Sequence, residues 1–270
     1  MRTNTICLAI ATVLAAATVA RAGTITIDSH TVALWNFDEQ AGAVIDATGH
    51  GWNGVALHGV QTGVTIDGRT GYRFDGTDDY VSLSTALLAA GLPQGTVEAW
   101  VRLEEYAPYY MGGGGLEPGA RHLFHRGVPY STTALGLSLY GPTGTVSVGL
   151  SDTVVPPSAA GVSLDRWTHV MVTWDGSHVR EYLDGILVSD FLTSATSDTT
   201  ASSVVEIGRY SDPFGGYFGG YFKGVIDAMA ISDVPRTPEA PLPSAAASGL
   251  LLLCGLGGAA WRSRRRTRMG

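Results

Sequence analysis

The sequence predicts an all-β fold, two packed antiparallel sheets, with a short apolar segment attached at each end. Three observations carry this. Apolar residues alternate with polar ones in Thr96-Val97-Glu98-Ala99-Trp100-Val101-Arg102-Leu103, where Val97, Ala99, Val101 and Leu103 share one face, and in 167–174, where Val170, Val172 and Trp174 do. Glycine is abundant, 36 of 270 residues, with no G-X-Y period, and Asp175-Gly176 and Asp184-Gly185 punctuate the alternation as hairpin turns. Charged residues make up 15%, against roughly a quarter in average globular proteins, and no stretch of the body holds a long 3.6-residue period. Residues 84–92 allow one short helix at most. Strands with one apolar face bury it most simply by stacking two sheets.

Taken in order, residues 1–22 read as a secretory signal. Arg2 supplies the positive start, an apolar run extends from Ile6 to Ala20, and Ala20-Arg21-Ala22 is a small-x-small cleavage site. A first transmembrane helix is the alternative, for which the run is short. Residues 23–236 form one β-sandwich domain, within the size range of a single all-β unit. Residues 237–244 hold Pro238, Pro241 and Pro243, which cannot continue a strand. Residues 245–261 are uncharged and just long enough, at 1.5 Å per helical residue, to cross a bilayer. Residues 262–270 carry five arginines that hold this end in the cytoplasm. Cys7 and Cys254 both lie in these end segments, so the exported domain relies on its core rather than on disulfides.

Charge narrows the function. Between Asp28 and Glu239 lie all 24 acidic and 10 of the 17 basic residues, a formal −14, and Lys223 is the only lysine. A body this acidic has no electrostatic footprint for nucleic acid.

Four blocks carry a resemblance to the laminin G-like jelly-roll domains of the concanavalin A-like lectin superfamily. They are Val32-Ala33-Leu34-Trp35-Asn36-Phe37-Asp38-Glu39 with the 46–54 loop; Phe74-Asp75-Gly76-Thr77-Asp78-Asp79-Tyr80-Val81; 97–101 with 167–170 and Tyr182-Leu183-Asp184-Gly185; and Phe222-Lys223-Gly224-Val225-Ile226-Asp227. The resemblance implies a two-sheet antiparallel jelly roll, and often a structural calcium ion. Separately, the run of Pro238-Glu239-Ala240-Pro241, apolar helix and arginine cluster resembles the PEP-CTERM sorting signal (motif residues Pro238, Glu239, Pro241), which implies processing by an exosortase. A plain tail anchor is the alternative.

Catalytic machinery is not apparent. Glu181 and Asp184 are three apart and point to opposite faces of a strand, Glu104 and Glu105 diverge, and no Gly-x-Ser-x-Gly, His-Glu-x-x-His or phosphate-cradling loop appears. His122 and His125 are the only close histidine pair; on a strand they face opposite sides and cannot share a metal, and on a helical turn they could, but no Glu or Cys stands nearby as a third ligand. Calcium prefers six to eight hard oxygens, which Asp46 and Asn53 in the Gly-rich 46–54 loop supply in part. Pairing of the first and last strands would bring Asp227 to the same loop, against the alternative that Asp46 forms an Asx-turn and Asp227 pairs with an arginine. Tyr106, Tyr109 and Tyr110 in one Gly-rich loop, and Tyr210, Tyr217 and Tyr221 in another, are candidates for contacting a sugar. Trp35, Trp100, Trp167 and Trp174 are expected in the core, with Trp52 partly exposed. The expectation from residues and resemblance together is an exported, cell-surface or extracellular, non-catalytic domain that binds glycan or matrix (exopolysaccharide) ligands. A self-adhesive coat component and a polysaccharide-active enzyme are the alternatives.

Overall fold

The computed structural model describes residues 24–41, 43–112, 115–128, 131–151, 153–197, 204–212 and 217–238. The expected signal segment, apolar tail, arginine cluster, Glu239 and Pro241 lie outside the described residues. Among the described residues no helix is long and apolar enough to cross a membrane, and the only helical turn is a 3-10 turn at Gly141–Thr143. Residues 84–92 form turns rather than a helix.

The first strands are β1 (Thr31–Trp35), β2 (Ala43–Val44), β3 (Gly54–Leu57), β4 (Gln61–Ile66), β5 (Arg69–Asp75), β6 (Tyr80–Ser82) and β7 (Gly95–Leu103). The middle holds β8 (Tyr109–Gly112), β9 (Gly115–Pro118), β10 (Ala120–Val128), β11 (Ser131–Tyr140), β12 (Thr145–Leu150) and β13 (Thr153–Val154). The last are β14 (Trp167–Trp174), β15 (His178–Leu183), β16 (Ile186–Leu192), β17 (Val204–Ile207), β18 (Tyr210–Asp212), β19 (Tyr217–Gly219) and β20 (Lys223–Ser232).

One sheet runs β16-β15-β14-β7-β20-β5-β4, with β1 also on β20; the other runs β13-β12-β11-β10-β17-β6-β3-β2. All of these pairs are antiparallel, so the fold is the expected two-sheet jelly roll. Two short ribbons, β8-β9 and β18-β19, stand apart. The alternation expected from sequence sets the core: Val97, Ala99, Val101 and Leu103 from β7 and Val170, Val172 and Trp174 from β14 all enter it. Leu123, Phe124, Leu137, Val148, Val205 and Ile207 meet them from the other sheet. The Asp184-Gly185 turn takes positive φ at both residues, 50° and 80°, as a two-residue hairpin demands.

First and last strands do pair, β1 on β20 from Thr31↔Ser232 to Trp35↔Met229. Just outside this ladder Arg236 binds the Asp28 carboxylate at 2.6 and 3.1 Å, and His30 meets Asp233 at 2.9 Å. The guanidinium holds the Asp28 acid down at about 2.

Candidate functional site

The site is created by a change of partner along β20. Residues Lys223–Ile226 pair with β5, whereas Met229–Ser232 pair with β1. Between them the register against β7 slips, with Ile226 opposite Val101 and Ala228 opposite Trp100, so Asp227 is the extra residue of a β-bulge. Bulges interrupt the ladder and re-aim a side chain. Here the interruption leaves a cleft of about 530 Å³ between β1 and β5, walled by the segment Thr24–Ile27 and lined by Leu34, Asn36, Asp38, Arg69, Thr70, Trp100, Asp227 and Ala228. That volume lies within the range of small-molecule sites, roughly 300–1,000 Å³.

Local backbone chemistry supports the opening. Gly71 lies where β5 crosses β20 so closely that a Cβ would strike the Ile226 and Asp227 backbone. Phe37, fully buried against Tyr72 at a ring distance of 5.2 Å, holds a left-handed φ of 53°. A bulky residue at positive φ costs about 1–2 kcal/mol, and such strain gathers at functional sites. Its neighbours Asn36 and Asp38 both line the cleft, and Asp38 is exposed.

Inside the cleft, Arg69 forms a buried ion pair with Asp227 and lays its guanidinium over the Trp100 ring, 3.7 Å from the centroid. Trp167 stands 5.8 Å away and donates its Nε1–H to the Ile66 carbonyl at 3.0 Å. His169 packs against Trp100 with ring centroids 5.0 Å apart, and its Nε2 meets the Glu98 carboxylate at 2.9 Å. The expectation that all four strand tryptophans fill the core is therefore corrected. Trp35 and Trp174 do, but Trp100 and Trp167 project from the opposite face of the sheet, where period-two alternation from Ala99 and Thr168 puts them, and clasp Arg69.

The expected calcium ligands are separated by function. Asp46 is bridged to Trp35, and its oxygens accept from the amides of Leu34 (3.3 Å), Thr48 (3.1 Å) and Trp52 (3.2 Å) and from the Thr48 hydroxyl (2.7 Å). Burial works against its charge, but these bonds outweigh it and hold the acid below its ordinary value. Asn53 turns its Oδ1 to the Asp46 amide at 2.9 Å. Asp227 pairs with Arg69 and lines the cleft; Asp46 does not. Both carboxylates thus follow the Asx-turn and arginine-pair alternative. Among the described residues, Asp75, Asp78 and Asp79 form one acidic group whose carboxylate oxygens lie within 4.8 Å of one another. Asp79, buried and raised above its ordinary value mainly by that burial, already accepts from the Asp75 amide at 2.9 Å.

The tyrosine loops meet at Arg121. Its guanidinium donates to the Tyr221 carbonyl at 2.8 Å and the Tyr106 carbonyl at 3.4 Å, and pairs with Glu105, which Lys223 also contacts at 2.8 Å. Tyr106 is half-buried and packs on the core; Tyr221 is half-buried too. Tyr210, also half-buried, lies 5.2 Å from the His122 ring and 4.4 Å from the His125 ring. Tyr109, Tyr110 and Tyr217 lie on β8 and β19, whose side chains are outside the described ones. The two histidines correct an expectation. A register shift between His122 and Phe124 cancels the alternation, so both rings sit together at 6.3 Å instead of on opposite faces. Burial, then His125, pushes the His122 acid down to about 3, which keeps the ring neutral.

One acidic group, Glu181, set aside in the sequence because it diverges from Asp184, has a burial that the sequence reading did not anticipate. Glu181 stands opposite the core residue Val172, is fully buried, and has no hydrogen-bond partner on either carboxylate oxygen. Burial pushes its acid up to about 8; the Ser189 hydroxyl across the ladder eases that shift without closing a bond. The alternation Val179-x-Glu181-x-Leu183 was the available signal.

A Laminin_G_3 family model, described as the concanavalin A-like lectin/glucanases superfamily, matches residues 75–240. No curated protein gives a significant sequence match. Among solved structures, Trypanosoma rangeli sialidase with a difluorosialic acid covalent intermediate is 14% identical (TM-score 0.56) and covers 79% of this chain, which spans only 32% of the sialidase. Domain 4 of AbnA, a GH43 extracellular arabinanase from Geobacillus stearothermophilus in complex with arabinotriose, is 19% identical (TM-score 0.54) over 77% of this chain and 95% of its own. Botulinum neurotoxin type C, whose cell entry depends on two ganglioside molecules, is 10% identical (TM-score 0.54) over 77% of this chain and 48% of its own. At these identities the likeness is one of fold. The expectation of a non-catalytic domain is corrected by the same findings: the matching model unites lectins with glucanases, and the fold is shared with chains from glycoside hydrolases, so non-catalytic status does not follow. With more than half of its residues matched and a two-sheet antiparallel jelly roll as its fold, the chain belongs to the concanavalin A-like lectin/glucanases superfamily.

Proposed function

We propose that the domain recognises a carbohydrate and that the sugar occupies the cleft between β1 and β5. The observation that carries this reading is the cleft itself: a pre-formed opening whose walls combine hydroxyl, amide and carboxylate groups at Thr24, Thr26, Asn36, Asp38 and Thr70. Such groups exchange hydrogen bonds with the hydroxyls of a sugar ring, and a few convergent polar groups fix orientation in a site. Trp100 serves as a wall rather than a stacking platform, because Arg69 already covers its ring. The family supports the reading, as does an arabinotriose complex on a domain of the same fold.

The test is titration calorimetry of the 23–236 body against neutral and acidic oligosaccharides, with Asn36→Ala and Thr70→Val as site variants. Each variant is expected to weaken binding about threefold to tenfold, the loss of one hydrogen bond worth about 1 kcal/mol. Unaltered affinity in both would move the sugar away from the cleft. Reducing-sugar release in the same samples distinguishes lectin-like from glucanase-like use of the site.

The same proposal sets the domain outside the cell. Residues 1–22 supply the export signal, and the tail from 237 onward delivers the protein to the membrane and to an exosortase-type enzyme, with exopolysaccharide as the neighbouring glycan. Mass spectrometry of the exported protein tests this; a mature chain beginning at Gly23 is expected, and retention of Met1 would refute it.

A further inference from the structure

Resting on the glycan reading above, we infer that this cleft accepts neutral sugars and turns away acidic ones. Three ionisable side chains line it, among the described residues: Arg69, Asp38 and Asp227. An acidic sugar, carrying a carboxylate or sulfate, is held by a guanidinium or ammonium that can turn towards it. Arg69 is the one cation in the lining, and it is fully committed: only 5% exposed, paired with Asp227 and stacked on Trp100. Recruiting it to a ligand would strand the Asp227 carboxylate at 4% exposure without its counter-charge.

Two other arginines of this sheet are committed as well. Arg73 and Arg102 both bind Glu104, at 2.5 and 3.0 Å, and Arg102 also reaches Asp165 at 2.9 Å. What remains free to face a ligand in the cleft is the exposed carboxylate of Asp38. That charge, within a body of formal charge −14 between Asp28 and Glu239, opposes any incoming anion. The neutral lining, Thr24, Thr26, Asn36 and Thr70, suits hydroxyl groups and offers no charge complement to an acid.

The experiment compares two panels on the 23–236 body at low and physiological salt. One holds gluco-, galacto-, manno-, xylo- and arabinotriose; the other holds trigalacturonate, trimannuronate and sialyllactose. Binding confined to the neutral panel is the expected result. Asp38→Asn is expected to narrow the neutral-over-acidic preference about fivefold to tenfold at low salt, and Asp38→Lys to reverse it. Because Asp38 is exposed, both variants keep the wild-type circular dichroism spectrum. Tighter wild-type binding of an acidic sugar, or a preference indifferent to both Asp38 variants, overturns the inference and leaves carbohydrate recognition standing. Failure to bind any member of either panel overturns both.

Discussion

Two of the carboxylates buried in one sheet, Asp227 and Glu181, are treated in opposite ways. At the β1/β5/β20 junction Asp227 sits on a bulge, meets Arg69 and borders an open cleft. Towards the far edge, on β15 next to the edge strand β16, Glu181 keeps strict alternation, faces the core and has no partner. A buried charge must be paired or neutralised. The first site pairs its charge and retains an ion pair beside solvent; the second takes up a proton. Only the first borders a cleft lined by polar side chains, so the contrast separates a buried charge that the fold pairs from one that it neutralises.

Arg69→Met should break the first solution most severely. It leaves Asp227 buried and uncompensated, at a cost of about 3–5 kcal/mol, a fall in melting midpoint on the order of 10 °C for a domain of this size. Adding Asp227→Leu should recover most of the loss; if the double variant melts as low as the single one, Arg69 acts through packing on Trp100 rather than through charge.

Glu181→Met should act in the other direction. The folded state holds this acid protonated up to about 8, against an ordinary value of 4.5. Between those limits the unfolded chain is ionised while the folded one is not, so stability declines as pH rises from about 4.5 to about 8 and levels off above. The slope is at most about 1.4 kcal/mol per pH unit. The methionine variant is expected to gain about 2–4 kcal/mol at pH 8, little at pH 4.5, and to lose that slope. Parallel wild-type and variant stability curves over pH 4.5–8 would refute the protonated assignment.

Asp46→Ala should cost less, about 1–3 kcal/mol, by orphaning the amides of Leu34, Thr48 and Trp52. EDTA should have the smallest effect. Asp46 already serves those donors, so chelation is expected to leave the melting midpoint of the wild type within about 1 °C. A fall of several degrees would restore a cation to the loop and make Asp46 a third type of buried carboxylate, bound to metal.

Period-two alternation made the core faces of β7 and β14 legible, and Asp-Gly pairs marked the hairpins, because both depend on neighbours in sequence. The bulges were not legible. One extra residue at Asp227 creates the cleft, and one slip near Leu123 brings His122 and His125 together, yet neither leaves a local signature, since a bulge is defined by the strand opposite. Asp227 and Asp46 were singled out as ligands of one ion because first-strand and last-strand pairing was anticipated correctly; their separate partners depend on Arg69 and on loop amides that pairing alone does not reveal. Arg69 itself drew no notice, as a single arginine after an Asp-Gly turn ordinarily points to water. The tyrosine loops were noticed for their composition, whereas half-burial of Tyr106, Tyr210 and Tyr221 follows from Arg121 and the two histidines, distant in sequence.

The Asp28–Arg236 contact has a consequence for engineering and for evolution. With entry and exit of the body within side-chain reach of each other, a linker of a few residues suffices to close the chain into a ring, and new ends opened at a distant hairpin such as Asp184-Gly185 would leave every ladder intact. By the same geometry the whole body could be spliced into an exposed loop of a host protein, its two junctions separated by little more than the width of the loop it replaces.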